Sequence, residues 1–366
     1  MKKNRKPKIA IIGVKGLPAS GGAARAWENL ISVLKDDFEF TVYAISSHTS
    51  NTYKNDGFNQ IVFNSVSNNA LNSLQYLLKS MCHCLFLRNF DLVVTNHVSS
   101  SFIIPFLRLK YKVLARAGGL SHLDTKWSKF SRLIFKNMMG VFVKFSSEVV
   151  CVSKEQADYL QRSYSKKIFS IPNGVVINEI MLSKKDNKNY ILFSAARIVE
   201  IKGLHILLKA IKKIKYSGRL VIVGNLDHCS KYKETIRRLS IGINVEFTGI
   251  IKEKKKLYEI ISNSSLFIFP SQTEAMSNML LEVASLKTPI IASDINDNKT
   301  IFTENEVLFF RVDDVNSLSG KIDYALSNKK EMLVKAENAF NKIKSEYDIN
   351  STSMIYKKLI GSLLSF

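Results

Sequence analysis

Apolar residues are arranged along this chain in two ways. Some form short, unbroken runs, such as Ile9-Ala10-Ile11-Ile12 and Leu92-Val93-Val94. Others recur every three or four positions over a dozen residues, as in 204–215. An unbroken run of three to five is too short for a helix and lacks the alternation of a half-exposed strand, so it reads as a strand covered on both faces. The recurring arrangement reads as an amphipathic helix. Strands are expected at 9–14, 40–46, 60–64, 91–96, 112–115, 149–153 and 167–171, with helices over 23–34 and 71–87. Pro172-Asn173-Gly174 breaks the pattern, and it then restarts. In the second half strands are expected at 190–196, 219–224, 244–248, 266–270, 289–293 and 307–310. Helices are expected at 204–215, 231–242, 255–262, 279–286, 318–328 and 330–347, and from 352 to the end. Strands alternating with helices predict an α/β fold of two Rossmann-like, doubly wound parallel sheets facing a cleft.

A length of 366 residues exceeds one ordinary core and fits an N-terminal domain of 1–175 followed by a second of 176–349. The net charge of +22 changes the picture more than length does. It points to anionic partners: phosphorylated substrates, an acidic membrane surface or nucleic acid. Cys82, Cys84, Cys151 and Cys229 form no C-x-x-C pair, and Cys82-His83-Cys84 lies in an apolar helical run without a second ligand pair. No metal is therefore expected, and free thiols suit a reducing cytoplasm. The apolar stretch after the basic residues 1–8 is too short for a secretory core, and no run is long enough to span a membrane.

Ligands of doubly wound sheets bind outside the carboxyl ends of the strands, so the loops leaving those ends carry the candidate chemistry. The first is a glycine-rich loop with Gly13, Gly16, Gly21 and Gly22 between a strand and a helix, where the helix start favours an anion. The second is Arg197 with Lys202, two cations able to neutralise a diphosphate. The third is Glu274 with Glu282, around a helix start whose backbone N–H groups at Met276, Ser277, Asn278 and Met279 can hold oxygens. Taken singly, these also admit a tight turn, solvated surface cations and a capped amphipathic helix.

Taken together, the three constellations resemble the retaining GT-B glycosyltransferases, specifically glycosyltransferase family 4. The resemblance is strongest over 190–294, where Arg197, Lys202-Gly203, Val223-Gly224, Phe247-Thr248-Gly249, Pro270-Ser271, Glu274, Glu282 and Pro289 stand in the family's order. It implies a nucleotide-sugar donor in the C-terminal domain and transfer of the sugar with retained anomeric configuration. Arg197 and Lys202 would then hold the diphosphate, Glu282 the ribose, and Glu274 with the backbone of 276–279 the sugar and phosphate. Gly21 and Gly22 would approach the phosphate from the other domain, and no metal cofactor is implied. The resemblance also implies that the C-terminal helix, about 350–366, returns to the first domain. The family's acceptor-side loop often carries a histidine where Gly118 stands here, which makes His97 and His122 the candidates for that side. The alternatives are a nucleotide-sugar 2-epimerase and a non-catalytic donor-binding homologue.

Residues 1–172 carry 24 basic and 10 acidic side chains, net +14, against net +8 for the remainder. The stretch from Trp127 to Phe145 interleaves Lys129, Arg132, Lys136 and Lys144 with large apolar residues. A helix there is basic and amphipathic, as for peripheral binding to an anionic membrane. The expected partners are therefore a nucleotide-sugar, a saccharide or lipid-linked saccharide acceptor of capsule, O-antigen or lipopolysaccharide synthesis, and the inner membrane face. No nucleic acid is expected, because no reading module accompanies the charge.

Overall fold

The computed structural model describes residues 5–19, 21–49, 57–66, 69–120, 122–123, 128–177, 189–251 and 253–365. Ser20, Ser121, Trp127 and most of the connecting stretch after Gly174 lie outside the described residues. The chain forms two compact units, Met1–Gly174 with Ile349–Phe366, and Val175–Asp348.

The first unit contains β1 (Lys8–Ile12), α1 (Gly22–Leu34), β2 (Glu39–Ile45), β3 (Phe58–Phe63), α2 (Asn69–Cys82), β4 (Leu92–Asn96), α3 (Ile104–Leu107), β5 (Lys112–Ala117), α4 (Lys129–Phe145), β6 (Glu148–Cys151), α5 (Lys154–Tyr164) and β7 (Phe169–Ser170). Its sheet runs β3-β2-β1-β4-β5-β6-β7, with all neighbours parallel. Ile9 to Ile12, Leu92 to Val94 and Val113 to Ala115 are wholly buried. That double-sided burial is why the strands read as unbroken apolar runs.

The helices α3 and α5 are additional to the sequence reading, and two of the expected elements depart from it. The helix expected over 71–87 ends at Cys82 and continues as a π-helical turn, His83–Leu87. Side chains capture its carbonyls: the Tyr111 hydroxyl donates to Cys84 O at 2.6 Å and Lys110 Nζ to Leu85 O at 2.8 Å. The strand expected at 167–171 shrinks to two residues at the sheet edge.

The second unit contains β8 (Tyr190–Arg197), α6 (Leu204–Lys213), β9 (Arg219–Asn225), α7 (Ser230–Ser240), β10 (Val245–Gly249), α8 (Lys254–Ser262), β11 (Leu266–Phe269), α9 (Asn278–Ser285), β12 (Ile290–Ser293), α10 (Asn296–Lys299), β13 (Leu308–Phe310), α11 (Val315–Ser327) and α12 (Lys329–Glu346). Its sheet runs β10-β9-β8-β11-β12-β13, again all parallel. The chain then returns to the first unit as α13 (Ile349–Leu364). There Tyr356 packs edge-on against Trp27 at 5.7 Å and meets Arg116 Nε at 3.1 Å. Both rings are almost wholly buried, so this contact joins the two ends of the chain through a large apolar area.

Both sheets reverse strand order at one point. In the first the reversal falls between β1 and β4, and in the second between β8 and β11. A parallel sheet opens a crevice at such a point, because the flanking crossovers depart to opposite faces.

Candidate functional site

At the first reversal, β1 ends at Ile12 and β4 at Asn96. Gly13 follows with φ +98, and a Cβ there would stand 2.5 Å from the Asn96 carbonyl oxygen. Only glycine lets the two strand ends approach so closely. Asn96 fixes the junction from within: its amide donates to Ile12 O at 3.0 Å and accepts from the Trp27 indole at 2.7 Å. Gly21 caps α1 in an extended conformation with open space around it, and Gly22 begins the helix. Glu28 accepts from Ala19 N–H at 3.3 Å and from Arg25 at 2.6 Å, which ties the glycine loop to α1. The sequence reading did not foresee that acid.

The two histidines occupy different settings. His97 leaves β4 exposed, at φ +63, and its ring carbon lies 3.7 Å from the position of a Cβ on Gly118. It thus stands beside the residue whose place it was expected to fill. His122 is buried, with Nε2 3.1 Å from the Tyr159 hydroxyl. Burial, and then Lys136, hold its pKa below the usual 6.5.

At the second reversal, Arg197 closes β8 with an exposed side chain, in register with Asn225 of β9. A 3₁₀ turn, Glu200–Lys202, follows and stops on Gly203 at φ +72. A Cβ on Gly203 would lie 2.0 Å from Pro270 O. Glycine there lets the turn rest on the loop after β11, and Gln272 N–H donates to Ile201 O at 2.9 Å to fasten it. This contact brings Lys202 Nζ to 2.5 Å from Glu274 Oε1, both side chains largely covered. The Ser293 hydroxyl donates to Ser271 O, and Asn298 Nδ2 donates to the Ser293 carbonyl at 2.9 Å. The loop is therefore anchored on β12 and α10 as well.

Ser277 caps α9, its hydroxyl accepting from Leu280 N–H at 3.4 Å. The backbone of Met276 to Met279 thus forms the helix start just after Glu274. Glu282 lies one turn further along and only 2% exposed, so it is not drawn into the Lys202–Glu274 pair. A pocket of about 500 Å³ opens at the carboxyl ends of β9 and β10, with Asn225, Lys233, Arg237, Phe247 and Ile250 in its wall. Sequence reasoning missed it, although Gly224, Phe247 and Gly249, which line it, lie in the Val223-Gly224 and Phe247-Thr248-Gly249 runs singled out there.

Chemically, the second reversal offers a cation and a carboxylate in a shared, partly dry setting beside a helix start. An anionic ligand entering there competes with Glu274 for Lys202, and its remaining oxygens face backbone donors. Among the described residues no group of His, Cys, Asp and Glu is placed to hold a metal ion.

Residues 20–179 match the family described as Glycosyltransferase Family 4, and residues 178–342 match Glycosyl transferases group 1. The chain is 26% identical over 336 residues to an uncharacterized glycosyltransferase of Methanocaldococcus jannaschii, covering 83% of this chain and 78% of that one. It is 22% identical over 290 residues to the capsular polysaccharide biosynthesis glycosyltransferase CapH of Staphylococcus aureus, covering 75% of this chain and 78% of CapH. Among solved structures it is similar to sucrose-phosphate synthase from Thermosynechococcus elongatus, with a TM-score of 0.83 at 17% identity over 98% of this chain and 99% of that one.

Proposed function

We propose, for a chain that belongs to the GT-B glycosyltransferase superfamily and is family 4-like, a retaining transferase that moves a sugar from a nucleotide-sugar donor to a saccharide acceptor in surface polysaccharide synthesis. The supporting observation is the meeting of Lys202 and Glu274, from separate loops, at the β8–β11 reversal. Lys202 and Arg197 bind the donor diphosphate. As the sugar departs, negative charge grows on that diphosphate, and fixed cations stabilise the transition state more than the ground state. Glu274, released from Lys202 by the incoming phosphate, turns to the sugar hydroxyls. The helix start at 276–279 faces the sugar and phosphate, and Glu282 the ribose. The pocket between the β9 and β10 ends receives the nucleoside.

The acceptor belongs to the first unit, whose glycine loop carries Gly21 and Gly22 and whose exposed His97 is favoured over the buried His122 on the acceptor side. The likeness to CapH supports a capsule-type saccharide as acceptor class. A lipid-linked form of it, met at the inner face of the membrane, accounts for the basic first half of the chain.

The test is a thermal-shift screen across nucleotide sugars, followed by transfer assays. One donor is expected to raise the melting temperature, since a ligand that binds only the folded state stabilises it. Free nucleotide is then expected only when acceptor is present. Nucleotide release together with an epimerised free sugar, and no acceptor product, would instead identify an epimerase.

A further inference from the structure

We infer that the helical face of the first unit built from α2, the π-helical turn and α3 docks on an anionic lipid bilayer. This rests on the membrane reading proposed above, which was drawn from the basic first half of the chain and the 127–145 stretch, and names a surface for it. Leu71, Leu74, Leu78 and Phe86 are all exposed large apolar residues, and the exposed Cys82 lies between the last two. They recur at three- and four-residue steps and form one outward stripe roughly 22 Å long. A nearly wholly apolar groove of about 370 Å³, bounded by Val66, Leu71, Leu74 and Leu78, runs along its first half.

The stripe ends in a knuckle. Lys110 and Tyr111 donate to the carbonyls of Cys84, Leu85 and Arg88, which pins the π-helical turn against the turn after α3. Phe86 is 79% exposed, Leu87 71% and Leu109 84%. Side chains of this size left so far out on a folded surface mark a binding face. Arg88, Arg108 and Lys110 stand exposed beside them.

Charge selects the occupant. Residues 58–147 hold 11 Lys and Arg but only two acids, Asp91 and Asp124. Asp91 is already gripped by the Arg5 guanidinium at 2.8 and 3.0 Å. A second copy of this chain meeting the same face would oppose cation to cation. Nucleic acid phosphates would leave the apolar stripe in water. A bilayer with anionic headgroups satisfies both features, since apolar side chains enter the acyl boundary while Arg and Lys stay at the headgroups. The stripe starts near the carboxyl ends of the strands and the knuckle lies at their amino ends, just before β4 and β5.

The test is flotation of the full-length protein with vesicles of phosphatidylcholine alone and of phosphatidylcholine with phosphatidylglycerol. Binding is expected only to the anionic vesicles. The variant Phe86→Ser/Leu87→Ser/Leu109→Ser, whose side chains contribute little to the core, is expected to keep the melting temperature of the parent and to bind at least about tenfold more weakly. Arg88→Gln is expected to weaken binding by a smaller factor that grows as salt is lowered. Equal binding of the triple variant, equal binding to neutral vesicles, or no flotation at all would overturn the proposal. So would a homodimer in light scattering that the triple substitution dissociates. Donor-induced thermal shift is read on the same samples and is expected to be unchanged in the triple variant. Its absence from every sample would count against the transferase and leave the docking result standing.

Discussion

The two units share one topology and place different chemistry on it. Each sheet reverses strand order between its first and fourth strands in chain order, and each reversal is held by a glycine whose Cβ would collide with a carbonyl across the junction: Gly13 against Asn96 and Gly203 against Pro270. In the first unit the residue locking the junction is neutral and buried: Asn96, bonded to Ile12 and Trp27. In the second, the contact across the junction is an ion pair, Lys202 with Glu274, on a loop that also carries Arg197. The first junction also has a cation beside it, Lys15, but its Nζ donates to the Ser73 hydroxyl of α2 at 2.9 Å rather than bridging the two strand ends. A doubly wound sheet thus supplies a crevice, and the residues in its loops decide whether that crevice binds a strong anion. On the proposed reading the second unit would bind the diphosphate, while the first would present a hydroxyl-bearing acceptor through backbone, glycine and an exposed imidazole.

The comparison breaks most readily at the cations. Arg197→Ala/Lys202→Ala is expected to lower kcat/KM for transfer by roughly a thousandfold, the scale for losing fixed charge at a developing anion. His97→Ala is expected to cost about tenfold and to act on the acceptor KM, with donor binding unchanged. Steady-state kinetics with each substrate varied in turn would show the split. A loss of donor affinity in His97→Ala would erase the distinction between the units.

The close packing at the second reversal gives the next effect. Gly203→Ala puts a Cβ 2.0 Å from Pro270 O at positive φ, and is expected to cost about 3 kcal/mol in denaturant unfolding. Gly21→Ala meets no atom within 4 Å and has extended backbone. It is expected to cost under about 1 kcal/mol, the scale of an exchanged helix cap. Asn96→Ala sharpens the contrast further. It strands the Trp27 indole N–H and the Ile12 carbonyl, and is expected to cost about 2 kcal/mol without weakening donor binding.

The smallest effect is a pH dependence. His122 is held neutral by burial, so its folded pKa lies below the usual 6.5. The unfolded chain then binds the proton first, and stability is lost as pH falls through 6.5 toward the folded value. His83 and His205 are shifted the same way by burial. Melting temperature is expected to decline modestly from pH 7 to pH 5.5, and His122→Gln is expected to flatten part of that decline.

Strand positions were legible because parallel strands are covered on both faces, which leaves apolar runs such as Ile9 to Ile12 without alternation. The π-helical turn was not, because it arises from Tyr111 and Lys110, more than twenty residues away, taking its carbonyls. Arg197, Lys202 and Glu274 could be proposed from their places at strand ends, and Gly203 hints that two loops touch. The 2.5 Å pairing itself depends on Pro270 packing under that glycine, a contact some seventy residues apart in sequence. The nucleoside-sized pocket lay hidden for a related reason: its walls come from β9, α7 and β10, and only pairing of the strands sets them side by side. His97 and His122 looked equivalent in sequence, and burial against Tyr159 separates them.

The measurement that bears most directly on the proposed diphosphate site is calorimetric titration of the intact protein with UDP, GDP and ADP, with and without Lys202→Ala. One nucleotide is expected to bind the parent, and Lys202→Ala is expected to weaken it at least about thirtyfold, near 2 kcal/mol, while His97→Ala stays within about twofold. Equal affinity in the parent and in Lys202→Ala would contradict the placement of the donor diphosphate at the β8–β11 reversal.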